Sequence, residues 1–403
     1  MLALAACAFA ALSVITLPGT AEEHEAATAT AAGTAASRSG AASTTVAPTS
    51  ASSTTAAPPA TSTTIAAPRS FTLLATGDLL SHSAVYEQAG AYAAAAGDAG
   101  GYDFRPMFAE VRGQVSAADL AICHLETMLS PDNSRLSSYP MFVIPNQMAN
   151  AIADTGYDAC SVASNHALDA GVSGMASTLD HLDAAGVRHA GGARSAAEDD
   201  TPSVYEVQGV AVGHLSYAYG FNGFEVPPSA PWVVNQIDPA AILAEAAAAR
   251  AAGAEFVVLS MHWGLEYQST PTSQQTTLAE QLLASPDIDL IIGHHAHVIQ
   301  PIERVGDEVV VYGMGNFLSN QYERPPTQDG VMVTLTVSER PEGGFGVTAV
   351  TATPTVVERP SFRIVPATPT NHADSYARTA GVIGPVATLT TAATPTPTPA
   401  PTP

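Results

Sequence analysis

Leu290–Glu303 reads LIIGHHAHVIQPIE, an apolar run followed by three histidines in four positions, in a chain of 403 residues with 12 histidines. A strand covered on both faces reads as a continuous apolar run, and strands of a parallel sheet are covered in that way. The three histidines therefore fall where such a strand leaves its sheet. Working outward, residues 272–285 have helical spacing, and before them EFVVLSMHWG (255–264) is another apolar run, with His262 at its end. Upstream the alternation continues. SFTLLATGD (70–78) predicts a strand and MFAEVRGQVSAA (107–118) a helix. DLAICHLE (119–126) predicts a strand, NQMANAIADTG (146–156) a helix and DACSVASN (158–165) a strand. GVSGMASTLDHLDAAG (171–186) is a helix with Gly186 as its C-cap.

Strand–helix alternation with continuous apolar strands predicts an α/β fold with a largely parallel sheet covered on both faces. Two regions depart from it. PSVYEVQGVAVGHLSYAY (202–219) reads as an antiparallel hairpin turning at Gly209. Residues 302–317, 330–339 and 344–358 read as consecutive antiparallel strands. A mixed sheet, or two stacked sheets with helices outside, accommodates both.

The polar residues follow the strands. Asp78 closes the first and Glu126 the second; Asn165 and His166 close the third, His262 a later one, and His294, His295 and His297 the last. Ligand sites of open α/β sheets gather at the carboxyl ends of the strands, so these residues are expected on one edge of one sheet. Oxygen and imidazole donors without thiolate suit Mn, Fe, Zn, Co or Mg. A bridging carboxylate can hold two cations roughly 3.5–4 Å apart, and an unligated histidine beside them can protonate a leaving group. Taken singly, Asp78 reads as a turn or helix-cap aspartate, Asn165-His166 as an Asx turn and His262 as a core histidine. Their recurrence at successive strand ends outweighs those readings.

The ends of the chain differ from its middle. Residues 1–21 are apolar and uncharged, as in a signal peptide or membrane anchor, and LAAC (4–7) has the form of a lipoprotein box that would lipidate Cys7. Residues 22–69 are mostly Ala, Ser, Thr and Pro, too poor in apolar surface to offset ordering entropy, and predict a disordered linker. Residues 367–403, ending TAATPTPTPAPTP, predict a disordered Pro/Thr tail and leave 70–366 as the folded domain. Together these place the protein outside the cytoplasm, extracellular or in the cell envelope. A net charge of −23, with all 14 basic residues arginine, excludes nucleic acid as a partner and makes an anionic substrate awkward without bound cations. Cys123 and Cys160 lie in apolar runs and read first as buried thiols, with a bridge between adjacent strands as the alternative.

Six ordered motifs, ATGDLLSH (75–82), HLETMLS (124–130), SVASNHALDAG (161–171), LSMHWGLEY (259–267), IIGHHAHVIQPIE (291–303) and VVYGMGNFLSN (310–320), resemble those of the CapA family. These are capsule and poly-gamma-glutamate biosynthesis proteins similar to calcineurin-like metallophosphatases. The resemblance implies a four-layer α/β/β/α sandwich and a site for divalent metal ions, two of them, whether Mn, Fe, Zn or Mg. It places Asp78 as the first metal-binding aspartate, Glu126 as the bridging carboxylate and Asn165 as the amide ligand. His262 and two of His294, His295 and His297 become the imidazole ligands. His166 becomes the candidate general acid, oriented by Asp169. Where the phosphatases have Asp-x-His, the nearest histidine here is His82, a ligand only if the chain turns helically after Asp78. His124 stands where the phosphatases have Asn.

The function implied is an exported dinuclear-metal phosphoesterase-like hydrolase in capsule or poly-gamma-glutamate biosynthesis. Its expected partners are an anionic polymer or phosphoester substrate and membrane-bound capsule synthesis subunits. The alternative is a non-catalytic component of polymer assembly or export that uses the same fold to bind polyanion or a partner protein.

Overall fold

The computed structural model describes residues 68–391. The leader, the Cys7 anchor and nearly all of the linker lie outside the described residues, as do residues 392–403.

The chain builds one sheet, then a second, and then returns to the first. β1 (Ser70–Leu80) pairs in parallel with β2 (Leu120–Leu125). A small parallel ribbon of β3 (Met128–Leu129) and β4 (Val143–Ile144) lies off the sheet. β5 (Ala159–Ser161) and β6 (Arg188–Ala190) extend it in parallel from β2. The second sheet has a hairpin at each edge, β7 (Val204–Val207) with β8 (Val210–Ala218), and β11 (Ile302–Val305) with β12 (Glu308–Val311). Between them lie β9 (Phe256–His262) and β10 (Leu290–His294), parallel to β8 and β12. The β7–β8 turn falls at Gly209, whose φ of 76° is one that glycine adopts without strain. The return places β13 (Asn316–Ser319) parallel to β1, and β14 (Asp329–Glu339) antiparallel to it. β15 (Phe345–Glu358), β16 (Arg363–Pro366) and β17 (Thr388–Leu389) complete the edge.

Alternation along the strands sets the layers. Leu73 and Ala75 of β1 pack in one buried cluster with Phe256 and Val258 of β9, so the two sheets face each other. Leu74, between them in sequence, belongs to the cluster under the helices Ser83–Ala95, Gln147–Thr155 and Gly171–Ala184. Val257 and Leu259 point the other way, onto Ile242 and Ala246 of the helix Pro239–Ala251 and Leu282 of Ser273–Leu283. Helix, sheet, sheet, helix is the result. The outer helices start at defined caps: Asp238 accepts from the amides of Ala240 and Ala241 with Pro239 at the first position, and Thr272 forms a capping box with Gln275.

Four expectations change. The site residues come from the ends of strands in two facing sheets, not from one edge of one sheet. Long-range pairing decides this, because buried strands of both sheets have the same apolar pattern. Residues 107–118 do not form one helix; Arg105–Phe108 and Arg112–Val115 are separate short turns. Cys123 and Cys160, registered partners on β2 and β5 with Cα atoms 4.5 Å apart, are joined as a disulfide. The disordered tail does not begin at 367, because Ala373–Val382 is helical and Arg378 clamps the buried Asp329 through two hydrogen bonds of 2.6 and 2.8 Å. Among the described residues no helix is long and apolar enough to cross a membrane.

Candidate metal centre

Five segments deliver polar side chains to one buried region. Asp78 lies within β1, at the point where the register with its neighbours shifts. Gly77 is obligatory beside it, since a Cβ there would fall 2.0 Å from the carbonyl oxygen of Gly315. Asp78 Oδ1 is 3.2 Å from His294 Nδ1, and its Oδ2 is 3.1 Å from His297 Nδ1 and accepts from the His295 amide at 3.3 Å. Burial opposes ionisation of Asp78, but the hydrogen bonds from His294 and His297 outweigh it and hold the carboxyl below its ordinary range.

Glu126 follows β2 and is fully buried, with neither carboxylate oxygen hydrogen-bonded. Burial pushes it up to about 8. His297 Nε2 lies 3.8 Å from Glu126 Oε1. Burial disfavours the His297 imidazolium, and the charges of Glu126 and Asp78 prevail, raising it to about 9. Each of the two histidines after β10 takes a positive φ, 86° at His295 and 55° at His297. Backbone strain of this kind at a non-glycine residue marks a turn shaped by its surroundings.

On the second sheet His262 ends β9. Its Nε2 is 3.0 Å from Asn165 Oδ1 and its Nδ1 is 2.9 Å from His124 Nε2. The His262 and His295 rings lie 4.7 Å apart, and the His124 and His294 rings stack at 4.0 Å. Burial, with neighbouring imidazoles, keeps His124 and His262 well below the usual histidine value and lowers His295 to about 3, so all three are neutral donors. His294 Nε2 and His295 Nδ1 are buried without hydrogen-bond partners.

Three groups have donor atoms close enough to share an ion: Asp78, Glu126 and His297; Asp78, His124 and His294; and Glu266, His295 and His297. Buried polar groups are normally satisfied. Two bare oxygens on Glu126 and two bare imidazole nitrogens, all in one cluster, fit a divalent cation as the missing partner.

His166 stands at the edge of the cluster. Its Nδ1 is 2.7 Å from Asp169 Oδ2, which also accepts from the Phe142 amide at 2.6 Å, and Phe142 packs edge-on against the imidazole. Nε2 is the ring nitrogen left for the pocket. That pocket, about 560 Å³, is lined by His166, Asp169, Asn165, His297, Tyr267 and Glu266 among others. His82 is not in any of the three ligand groups. The chain does not turn helically after Asp78; β1 runs on to Leu80, and His82 stands at the N-cap position of the helix Ser83–Ala95 without a side-chain capping bond, its Nδ1 3.1 Å from Leu80 O. His82 therefore lines the pocket wall.

The sequence reading left His124 without a role and missed Glu266, Asn222 and Asn316. Asn316 Oδ1 lies 3.1 Å from His297 Nδ1, and Asn222 Oδ1 accepts from Asn165 Nδ2 at 3.2 Å. Glu266 had a signal, four residues after His262 in HWGLEY. Asn222 sits in a loop with no pattern that marks it.

Two facing sheets with helices outside, and a pocket of carboxylate, amide and imidazole donors where their strands end, define a four-layer α/β/β/α protein with a metal-capable site. The chain belongs to the bacterial capsule synthesis protein PGA_cap family, whose pattern matches residues 72–321. It is 30% identical over 223 residues to the PGA biosynthesis protein CapA of Bacillus subtilis (strain 168), covering 54% of this chain and 57% of that protein. It is 25% identical over 178 residues to the capsule biosynthesis protein CapA of Bacillus anthracis, covering 43% of each. A probable polyglutamine synthesis accessory protein of Mycobacterium tuberculosis (strain ATCC 25618 / H37Rv) is 26% identical over 221 residues, 51% of this chain and 57% of that one. The chain thus spans about half the length of the curated relatives it matches. Among solved structures, the calcineurin-like phosphoesterase YfkN from Bacillus subtilis aligns with 78% of this chain and 98% of its own, at 13% identity and a TM-score of 0.43. At that distance the architecture rests on the layers described above.

Proposed function

We propose that this chain is an exported component of capsule or poly-gamma-glutamate biosynthesis and acts as a dinuclear-metal phosphoesterase-like hydrolase. The observation that carries the reading is Glu126, a fully buried carboxylate with both oxygens bare, beside Asp78 and His297. Asp78, Glu126 and His297 would hold one cation. A second would draw on His262, His295 and Asn165, with Glu266 on the open side. Bound cations would supply positive charge that polarises a phosphoryl oxygen and makes an anion acceptable to a chain of net charge −23.

The chain's own residues supply the rest. Asp169 fixes the His166 ring through Nδ1, so that Nε2 can hold a proton for a leaving group. Phe142 restrains the ring from its edge. The family relationship supports the capsule setting, and the apolar leader read from the sequence supports export.

The test is metal analysis and hydrolysis of bis(p-nitrophenyl) phosphate by the manganese-loaded protein. Glu126→Gln is expected to lose metal and turnover together, and His166→Asn to keep metal while losing turnover. Bound metal with no turnover on any phosphoester would favour the non-catalytic role in polymer assembly. No bound metal would overturn the reading.

A further inference from the structure

A second recess of about 460 Å³ adjoins the metal pocket, and His82, Tyr139, Tyr267 and Gln321 line both. Arg324 lies on its wall, with its guanidinium 4.7 Å from the centre of the Tyr267 ring. Next to it Arg359 lies over the ring of Tyr322, a further lining residue, at 3.7 Å. Most arginines of the domain are paired with carboxylates. Arg324 and Arg359, like Arg188 over Tyr205 elsewhere on the domain, have no such partner among the described residues and rest on aromatic faces, which orient a guanidinium and leave its N–H edge open. Asn320, also on this wall, has a buried Oδ1 with no hydrogen-bond partner, an acceptor that calls for an N–H or O–H donor.

We propose that this recess is an anion-binding subsite that takes a second anionic group, carboxylate or phosphate, on the substrate whose reacting group lies at the metal pocket. Arg324 recognises the anion, and Tyr267, on the wall between the two spaces, sets the guanidinium in place. The substrate class this defines carries at least two separated anionic groups, so a monoanion engages only the metal pocket. Asn320 Oδ1 can accept from an N–H of the linking chain once its side chain turns toward the recess. Glu323 lines the same recess and opposes the anion, so affinity is set by the balance of Arg324 over Glu323. The proposal builds on the metal-pocket reading by adding a substrate class to it.

The experiment measures equilibrium binding of three probes to the manganese-loaded full chain: inorganic phosphate, tripolyphosphate and a γ-glutamyl trimer. Wild type, Arg324→Gln and Glu323→Gln are compared, and both substituted residues are exposed. Loss of one charge-assisted contact should weaken the trimer or tripolyphosphate by about tenfold in Arg324→Gln while phosphate changes by less than about twofold. Glu323→Gln should tighten the same probe. The probe that responds identifies the anion as carboxylate or phosphate. The subsite is overturned if wild type binds neither extended probe, if Arg324→Gln leaves both unchanged, or if phosphate weakens equally. Phosphate that fails to bind any variant counts against the metal pocket alone, and a retained difference on the extended probes still supports the subsite.

Discussion

His124 Nε2 lies 2.9 Å from Nδ1 of His262, and Ser161 Oγ is 2.8 Å from the other nitrogen of His124. The contact crosses from one sheet to the other and settles which nitrogen of His262 faces the pocket. With Nδ1 engaged, Nε2 is the atom presented beside Asn165. A ligand histidine commonly has its far nitrogen held by a partner that fixes its tautomer and ring plane. His124 takes that position here.

His124→Phe should therefore keep the stack on His294 while removing the bond to His262. Lost partners of this kind lower metal affinity by roughly 10–100-fold. Metal titration of the folded variant checks it, with circular dichroism as the control for folding. Unchanged affinity would show that the His262 ring is held by other contacts.

Glu126 gives a second prediction, on stability. Without metal its buried oxygens lack partners, and burial pushes its protonation up to about 8. Glu126→Gln removes the ionisation and keeps the shape, so the metal-free variant should melt at or above the wild type. A cation at 100 times its dissociation constant stabilises a folded protein by about 2.7 kcal/mol. That metal-dependent rise should be present in the wild type and strongly reduced in the variant. Equal rises in both would remove Glu126 from the ligand set.

Which parts of this arrangement were legible in sequence follows from range. Asp78, Glu126, Asn165, His262 and His297 stand out because each comes after an apolar run of sequence, a local pattern that survives without knowledge of pairing. That β9 and β10 belong to a different sheet from β1 and β2 is not local. It depends on β13 and β14 returning to cover β1, a contact across more than 200 residues of chain. His82 misled because i and i+4 share a face only in a helix, and the chain is strand through Leu80 with the helix starting only at Ser83. The helix Ala373–Val382 was hidden by composition. Its sequence ADSYARTAGV offers little apolar surface, and it is fixed instead by the Arg378–Asp329 pair and by Ile383 in the core between the sheets.

His214 sets a dependence on pH. It is fully buried, its Nε2 is 2.9 Å from Ser260 Oγ, and burial first, then the nearby His294 and His189, lower it to about 3. In the unfolded chain it titrates near 6.5. As pH falls from about 6.5 toward 3, the unfolded chain takes up a proton that the folded one refuses, so this contribution to stability is present above 6.5 and lost below it. The slope is about 1.4 kcal/mol per pH unit. His214→Gln can still meet Ser260 but does not titrate. Between pH 7 and 5.5, urea unfolding in the presence of chelator should show the wild type losing about 1 kcal/mol more than the variant. Parallel losses would mean that His214 is protonated in the folded state.

The C-terminal helix reaches the site through a short relay. Arg378 holds Asp329 with two hydrogen bonds at the start of β14. The turn before it, Pro325–Gln328, places Thr327 O to accept from Asn316 Nδ2 at 2.8 Å, and Asn316 Oδ1 contacts His297 Nδ1 at 3.1 Å. Burial alone raises Asp329, and Arg378 opposes it. Removing the guanidinium leaves a buried carboxylate unpaired, which costs about 3–5 kcal/mol for a fully buried pair and about 2 here, where Arg378 is one-third exposed. Arg378→Ala should show that loss in urea unfolding, and Asp329→Asn in the same chain should restore much of it. Truncation after residue 366 should destabilise the domain by at least as much and lower metal affinity, since it removes the restraint on the turn that orients Asn316. A truncated chain with wild-type stability and metal affinity would make the helix Ala373–Val382 a passenger on the fold. Loss of stability with unchanged metal affinity would confine its effect to β14 and break the proposed line to His297.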